Sequence, residues 1–569
     1  MRGFYWTVIV ALIGTALLAR PVGAEHAANG GGGAFSRLEH LVVIYQENHS
    51  FDNLYGLWPG AEGLSSPTSA TPRQTQVDQA GAPYACLAQK DPHLKSSAPL
   101  AETCTDPRGF GSHFQNELFA IDAYVPLAQK TEDLVHRFYQ EQYQIAGGRM
   151  DRFTTGSDAI GLTQGYYDTK TLPIYRYLTA AGAPPSVVLD HFFHAAFGGS
   201  FLNHQWLVSA HTPVFAAALD DGSANDLHAV VDANGMPINY PLYTSPLGSQ
   251  VKDGALTPSC HPPAGRPPTP AGLLCGDYAV NTLQPASQPY APASLVAQRL
   301  PPLTSPTIGD ELIAKGVPWA WYSGGWDNAA GNTRGRGWTN GDSPGTCADP
   351  DHNPSSAYPY CADRLFQYHH QAFNYFSKYA EGAPGRTLLR DERDFLAEAA
   401  AGRLPAVSFV KPLGEDNEHP GYADVNSGER HLIDLIEALK ASPAWPSTAI
   451  VITYDEHGGF WDHVPPPTAR GVSDPWGPGL RVPTLVISPL LANTGVDHTE
   501  FDTTSILATI ERRWNISPLG TRDAAVASLA PLFGAERDWG QARSRGRRAD
   551  QGAAASISAA SRSSRSSRP

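Results

Sequence analysis

Beyond its first two dozen residues the chain has no run of 18 consecutive apolar residues, so no later segment reads as a membrane span. Positive charge is also scarce: 41 Lys and Arg stand against 55 Asp and Glu, a formal net charge of −14. A general nucleic-acid binder carries a basic footprint, so nucleic acid is not an expected partner. A small anionic substrate is not excluded, because a site can be locally positive. There are only six cysteines, and none has CxxC spacing, which weakens a zinc-site reading of them. No internal repeat is visible. What remains is ordinary globular composition, 41% hydrophobic and 17% charged over 569 residues, enough for a substantial core with insertions.

The first 24 residues read as a signal peptide: MRGFYW carries one Arg, TVIVALIGTALLA is apolar, and Val22-Gly23-Ala24 offers small residues for cleavage. The apolar stretch is shorter than the roughly 20 residues of a spanning helix. The expectation is therefore a periplasmic or secreted protein with no stable membrane anchor. In an oxidising compartment the cysteines pair by proximity as Cys86 with Cys104, Cys260 with Cys275 and Cys347 with Cys361. Each such loop is worth roughly 3 kcal/mol in the chain-entropy view. Residues 541–569 are rich in Arg and Ser with almost no large apolar residue, and read as a disordered tail. That leaves one domain over 25–540.

Apolar runs at 41–45, 449–454 and 482–488 read as buried strands of a parallel sheet, with shorter candidates at 185–190 and 405–410. Helical patterns lie between them, as in 131–144 and 429–442. Alternating strands and helices define an α/β fold with a mainly parallel sheet. The long irregular stretches 58–110, 220–305 and 327–362 read as insertions.

Open parallel sheets bind ligands beyond the carboxyl ends of their strands. LVVIYQENHSFDNLYG delivers Glu47 and Asn48 there, and IVITYDEHGGFWDHVPPP delivers Asp455 and Glu456. Three carboxylates and a carboxamide brought together form an oxygen-rich pocket for one divalent metal ion. Without a cation, carboxylates so close would repel, and one would hold a proton. In GGSFLNHQ, Ser200 follows two glycines at a helix start; the residues alone favour a helix cap. Beside a metal the same hydroxyl would be a nucleophile. His136, His370 and His419 are donors of the kind phosphoryl transfer needs.

These segments resemble the bacterial phosphoesterase family of acid phosphatases and phospholipases C. The family typically reads ENRSFDxxxG where this chain has ENHSFDNLYG, with His49 in place of the commoner Arg, and GGFxDHVxPP where it has GGFWDHVPPP. GGRMDRF, WYSGGW, FQYHHQAFNYF and KPLGEDNEHPGY also look like family blocks, in order, from about residue 38 to 520. The resemblance implies an alkaline-phosphatase-like fold, flanked by helices and carrying loop insertions. It places Glu47, Asn48, Asp455 and Glu456 on one metal, identity unknown, with Ser200 as nucleophile. His370 and His419 are then catalytic, and His136, Asp151 and Asn203 bind substrate. His113 is an alternative to His136, and His369 to His370. Asp462 and His463 would orient the ligands. Serine in GGSFLNHQ, where phospholipases usually have Thr in a GPTHPNR-like stretch, points to the acid phosphatase branch. The implied substrate is a small phosphate monoester, with a phospholipid diester as the alternative.

Overall fold

The computed structural model describes residues 33–65, 75–89, 92, 100–214, 230–232, 234–237, 239–246, 251–252, 278–281, 284–339, 361–469 and 471–536. The signal segment, the Arg/Ser tail and much of the three insertions lie outside these residues. The centre is an eight-stranded sheet of β1 (His40–Gln46), β2 (Ser186–Leu189), β3 (Trp319–Ser323), β4 (Leu389–Asp391), β5 (Val407–Lys411), β6 (Thr448–Tyr454), β7 (Thr484–Ile487) and β8 (Gly495–Asp497). Its spatial order is β4-β3-β5-β1-β6-β7-β2-β8. The central strands β5, β1 and β6 are near-continuous apolar runs because helices cover both faces, and every residue from Leu41 to Gln46 and from Thr448 to Tyr454 is buried.

All five strand segments expected from the sequence are present, and the fold is α/β with a mainly parallel sheet. One orientation differs. β7, expected to be parallel, pairs antiparallel with both β6 and β2. A parallel return needs a crossover helix on the sheet face, and the described part of the chain between Tyr454 and Thr484 forms no helix. It folds instead as an open loop over the sheet's carboxyl edge. The remaining strands all point the same way.

The helices around the site are α1 (Phe51–Tyr55), α2 (Phe138–Ile145), α3 (Ser200–Ser209), α4 (Glu392–Ala400), α5 (Val425–Lys440) and α6 (Thr504–Trp514). α5 follows its expected pattern, burying Leu432, Leu435, Ile436 and Leu439 behind an Asp424 cap. α2 is shorter than expected. Residues 132–137 are extended because outside groups hold their backbone: Asp158 accepts the Val135 N–H at 2.9 Å, and Gly459 packs against Leu134 and Val135. His136 is thereby presented from a strand-like segment just ahead of α2.

The cysteines differ from expectation in bonding. Cys86 and Cys104 do neighbour each other, but they stand as free thiols. Burial, then contact with Cys104, pushes the Cys86 thiol up to about 12, far from the thiolate that disulfide exchange needs. Cys361 is disulfide-bonded; Cys260, Cys275 and Cys347 lie outside the described residues.

Candidate metal and nucleophile site

Register builds the floor of the site. β1 and β6 pair Gln46 with Tyr454, so the next residues, Glu47 and Asp455, leave the sheet side by side. β5 pairs Val410 with Ile44, which sets Lys411 at the same edge. Asn48 then takes a positive φ of 64°, and its N–H donates to Asp455 Oδ1 at 3.2 Å. The two glycines of HGGF are steric necessities: a Cβ on Gly458 would lie 2.0 Å from the Asn48 carbonyl oxygen, and one on Gly459 2.7 Å from Leu134 Cβ. The loop therefore closes tightly over the acidic residues.

Ser200 is the first residue of α3, and the cap position belongs to Gly199. Its hydroxyl does not cap the helix. It donates to Glu47 Oε2 at 3.0 Å and faces Asn48 Oδ1 at 3.5 Å, with the Asp455 carboxyl beside it. The cap reading of the bare sequence fails here because Gly198, at φ 94°, turns the chain so closely over α2 that a Cβ would meet Phe138 N at 2.4 Å. That turn swings Ser200 inward.

The electrostatics of this cluster fit a cation. Glu47, Asp455 and Glu456 are fully buried, and Lys411 is the charged partner that contacts Glu47, while also donating to Tyr45 O at 3.0 Å. Three carboxylates against one ammonium leave two negative charges. Burial raises the Asp455 carboxyl well above its ordinary range and Glu47 adds to this, against Lys411 and the Ser200 hydroxyl, which lower it. Glu456 is raised by burial and by Asp455. Asp455 Oδ2 and Glu456 Oε1 are buried without a hydrogen-bond partner. Unpartnered carboxylate oxygens beside a serine hydroxyl suit a hard divalent ion, and Glu47, Asn48, Asp455 and Glu456 would hold it.

The histidines line the same space. His136 Nε2 accepts from Asn48 Nδ2 at 3.3 Å and lies 3.8 Å from Glu456, while its Nδ1–H donates to Leu134 O. His113 lies elsewhere, between Ala101 O and Tyr124. His419 stacks on Tyr422 and packs edge-on to His136, with ring centres 5.6 Å apart. His370 Nε2 sits 3.3 Å from Glu47 Oε1, and His369 packs against its ring. Sequence reasoning missed His204, which stacks on His370 at 4.9 Å with Nε2 3.9 Å from Glu47; its spacing, one turn after Ser200, is the signal that could have found it. Burial first, then a neighbouring charge (His136 for His419, Lys411 for the others), holds His204, His370 and His419 well below the usual imidazole range.

Two expected substrate-binding residues do not join this cluster. Asn203 is wholly buried beneath the nucleophile turn: its Oδ1 accepts from Ala196 N, and its Nδ2 reaches the carbonyls of Ala196, Gly198 and Gly199. It shapes the turn. Asp151 instead pairs with Arg149 at 3.2 Å. Asp462 and His463 behave as supports. Buried Arg481 binds Asp462 and Asp52, and His463 bonds Asp52 at 2.6 Å, tying α1 to the loop after β6. His49 is buried under the site, bonded to Asn53 and the Glu418 carbonyl.

Glu141, unmarked in the sequence, braces the turn before Ser200 and the loop at Leu480. Its carboxylate accepts from Gly198 N at 2.6 Å, Leu480 N at 3.1 Å and His194 Nε2 at 3.0 Å, with His457 Nε2 at 3.8 Å. Burial would raise this carboxyl, but His194, His457 and the Gly198 N–H outweigh it and hold it below the ordinary range. With three donors already on its oxygens, the group works as a brace. Glu141→Gln replaces one acceptor by a donor facing N–H groups and should loosen the Ser200 turn. A fall in kcat of about tenfold is expected with KM nearly unchanged; equal loss in both would contradict the assignment.

Glu418, beside Gln46 and Tyr454, gives a pH prediction. Burial pushes its carboxyl up from 4.5 to about 8, against the hydrogen bonds from Tyr454 and Gln46. The folded protein then keeps a proton that the unfolded chain releases. Its contribution is full below pH 4.5 and is lost as pH rises towards 8, by about 1.4 kcal/mol per unit. Glu418→Gln should flatten the decline in stability between pH 5 and pH 8 in urea unfolding. Parallel declines in both proteins would refute it.

The class this geometry defines is an α/β protein with a buried acidic site at the carboxyl edge of its sheet and a serine hydroxyl aimed into it. Within that class the chain belongs to the Phosphoesterase family, whose model matches residues 38–517. It is 37% identical over 164 residues to phospholipase C B of Mycobacterium tuberculosis, covering 25% of this chain and 31% of that protein. It is 36% identical over 165 residues to the non-specific phospholipase C6 of Arabidopsis thaliana, covering 24% and 31%. The matches thus span about a third of these relatives. Among solved structures, the phosphonate monoester hydrolase SpPMH from Silicibacter pomeroyi aligns over 63% of this chain and 72% of its own at 12% identity, with a TM-score of 0.20, too low to carry any argument.

Proposed function

We propose that the protein is an exported, metal-assisted phosphatase that hydrolyses small phosphate monoesters through a phosphoserine. The observation that carries this reading is the Ser200 hydroxyl, turned away from its own helix end and held 3.0 Å from Glu47 within the acidic cluster. One divalent ion held by Glu47, Asn48, Asp455 and Glu456 would supply Lewis acidity, lowering the pKa of the hydroxyl and drawing charge from a phosphoryl oxygen. Ser200 Oγ attacks phosphorus as its proton passes to Glu47 Oε2, to which it already donates, and the bond from phosphorus to the leaving oxygen breaks. His136, beside Gly199, and His419, edge-on to it, would donate a proton to the leaving oxygen. Water then cleaves the phosphoserine. His370 and His204 flank Glu47 and position it.

Acid pH would suit a site whose histidines are already protonated for phosphate binding. In the free site burial keeps His370 and His419 neutral, so the charge of a bound phosphate is what would draw protons onto them. An acid optimum then reflects the enzyme–substrate complex.

The similarity to two phospholipases C favours a second reading, cleavage of a phospholipid diester. Steady-state hydrolysis of p-nitrophenyl phosphate and p-nitrophenylphosphorylcholine from pH 4 to 9 separates the two. Preference for the monoester is expected; preference for the choline diester would move the protein to the phospholipase branch. Among the described residues no helix is long and apolar enough to cross a membrane.

A further inference from the structure

A second cluster of ligating side chains lies on the same edge of the sheet, at the ends of β2 and β8. Asp190 directly follows β2, and its carboxylate is fully buried. Its Oδ1 lies 2.9 Å from His191 Nδ1 and its Oδ2 2.7 Å from His498 Nδ1. Oδ2 also accepts the Glu62 N–H at 2.7 Å. The other nitrogen of His191, Nε2, faces the Glu62 carboxylate at 3.3 Å. Asp190, His191 and His498 thus offer three donor atoms within 4.8 Å of one another. β7 and β6 separate this cluster from β1, about 14 Å at ordinary strand spacing.

The arrangement around His191 is what points to an ion. A neutral imidazole carries one proton. If Nε2–H donates to Glu62, Nδ1 turns a lone pair towards the buried Asp190 carboxylate, and two acceptors meet with nothing between them. A metal ion at that point removes the conflict, and Glu62 then fixes the ring in the ligating tautomer, as carboxylates behind metal-bound histidines do. The His498 side chain is 60% exposed, so the site opens to solvent and keeps a position for water. In a tetrahedral zinc site adjacent donors lie roughly 3.3 Å apart, so both rings, now 2.9 Å (His191) and 2.7 Å (His498) from Asp190, would draw back by about half an ångström as the ion enters. Two imidazoles and one carboxylate select a borderline transition ion over magnesium or calcium.

We propose that Asp190, His191 and His498, oriented by Glu62, form a second divalent-metal site of the zinc class, separate from the Ser200 site. It joins the loop at Glu62, the end of β2 and the segment after β8. Arg481 already links the first two of these through the carbonyls of Glu62 and Asp190.

The test is equilibrium dialysis of chelator-treated full-length protein against zinc, with millimolar magnesium present. Wild type should bind one zinc more than His498→Ala, and Glu62→Gln should weaken that zinc tenfold or more. Asp455→Asn, which disables the other site, should retain it. His498→Ala should keep the wild-type rate of p-nitrophenyl phosphate hydrolysis. Equal zinc number and affinity in wild type, His498→Ala and His191→Ala would overturn the proposal and show a protonated His–Asp clasp instead. An absence of hydrolysis in every protein would count against the proposed function while leaving the zinc count unaffected.

Discussion

Ser200→Ala is expected to lower kcat for p-nitrophenyl phosphate by about 10³-fold or more while inorganic phosphate still binds. The argument is geometric. The hydroxyl is the serine oxygen of the cluster, and Glu47 and Asn48 both face it. The variant removes a small polar atom from a well-packed helix start, so the fold and the phosphate pocket remain. Retained phosphate inhibition with lost turnover separates a missing nucleophile from a collapsed site. Acid quench of wild type with labelled substrate should trap phosphoserine, and the variant should trap none. Near-full activity in Ser200→Ala would refute the mechanism.

Lys411→Met should give the largest change in stability. Lys411 is buried, contacts Glu47 and donates to Tyr45 O. Removing one partner of a buried ion pair costs about 3–5 kcal/mol, because the other charge is left uncompensated. In this protein the loss should depend on metal. With chelator present the variant has three buried carboxylates and no local cation, and should unfold at markedly lower urea. Added magnesium or manganese should restore more stability to the variant than to wild type, since the ion meets one more net negative charge. Unfolding titrations with and without metal measure this directly. An equal deficit in both conditions would mean that Lys411 contributes packing alone.

Much of this site could be read from residue order. Glu47, Asn48, Asp455 and Glu456 were legible because each follows a strand whose apolar run is unmistakable, and the ends of parallel strands share one edge. β7 was misread in direction because an apolar run states burial and says nothing of polarity; only the helix-free link before it decides that. Ser200 was ambiguous for a local reason, since Ser after Gly-Gly looks the same whether the hydroxyl caps α3 or turns away from it. The difference lies in the approach of Gly198 to Phe138, some sixty residues apart. Glu141, Lys411 and His204 were invisible for the same cause. Glu141 and His204 lie mid-helix and Lys411 closes β5, and each acquires its role from a contact distant in sequence, with Gly198 and Leu480, with His370, or with Glu47. Asn203 erred the other way: a polar residue beside a nucleophile invites a substrate role, yet the backbone of the turn needs its amide.

The site draws on residues 47, 136, 200, 370, 411, 419, 455 and 456, spread over most of the chain and joined only at the centre of the sheet. β6 is the last of the three central strands and leads directly into Asp455 and Glu456, the last two of the proposed ligands. Synthesis runs in chain order, so a nascent fragment ending before Glu456 lacks part of the site we propose for the ion. On the proposed function, metal loading would be a late event in the life of each molecule, governed by whatever ions surround the chain where it finally folds. Inside the cell that synthesises it, the unfinished polypeptide would be chemically silent.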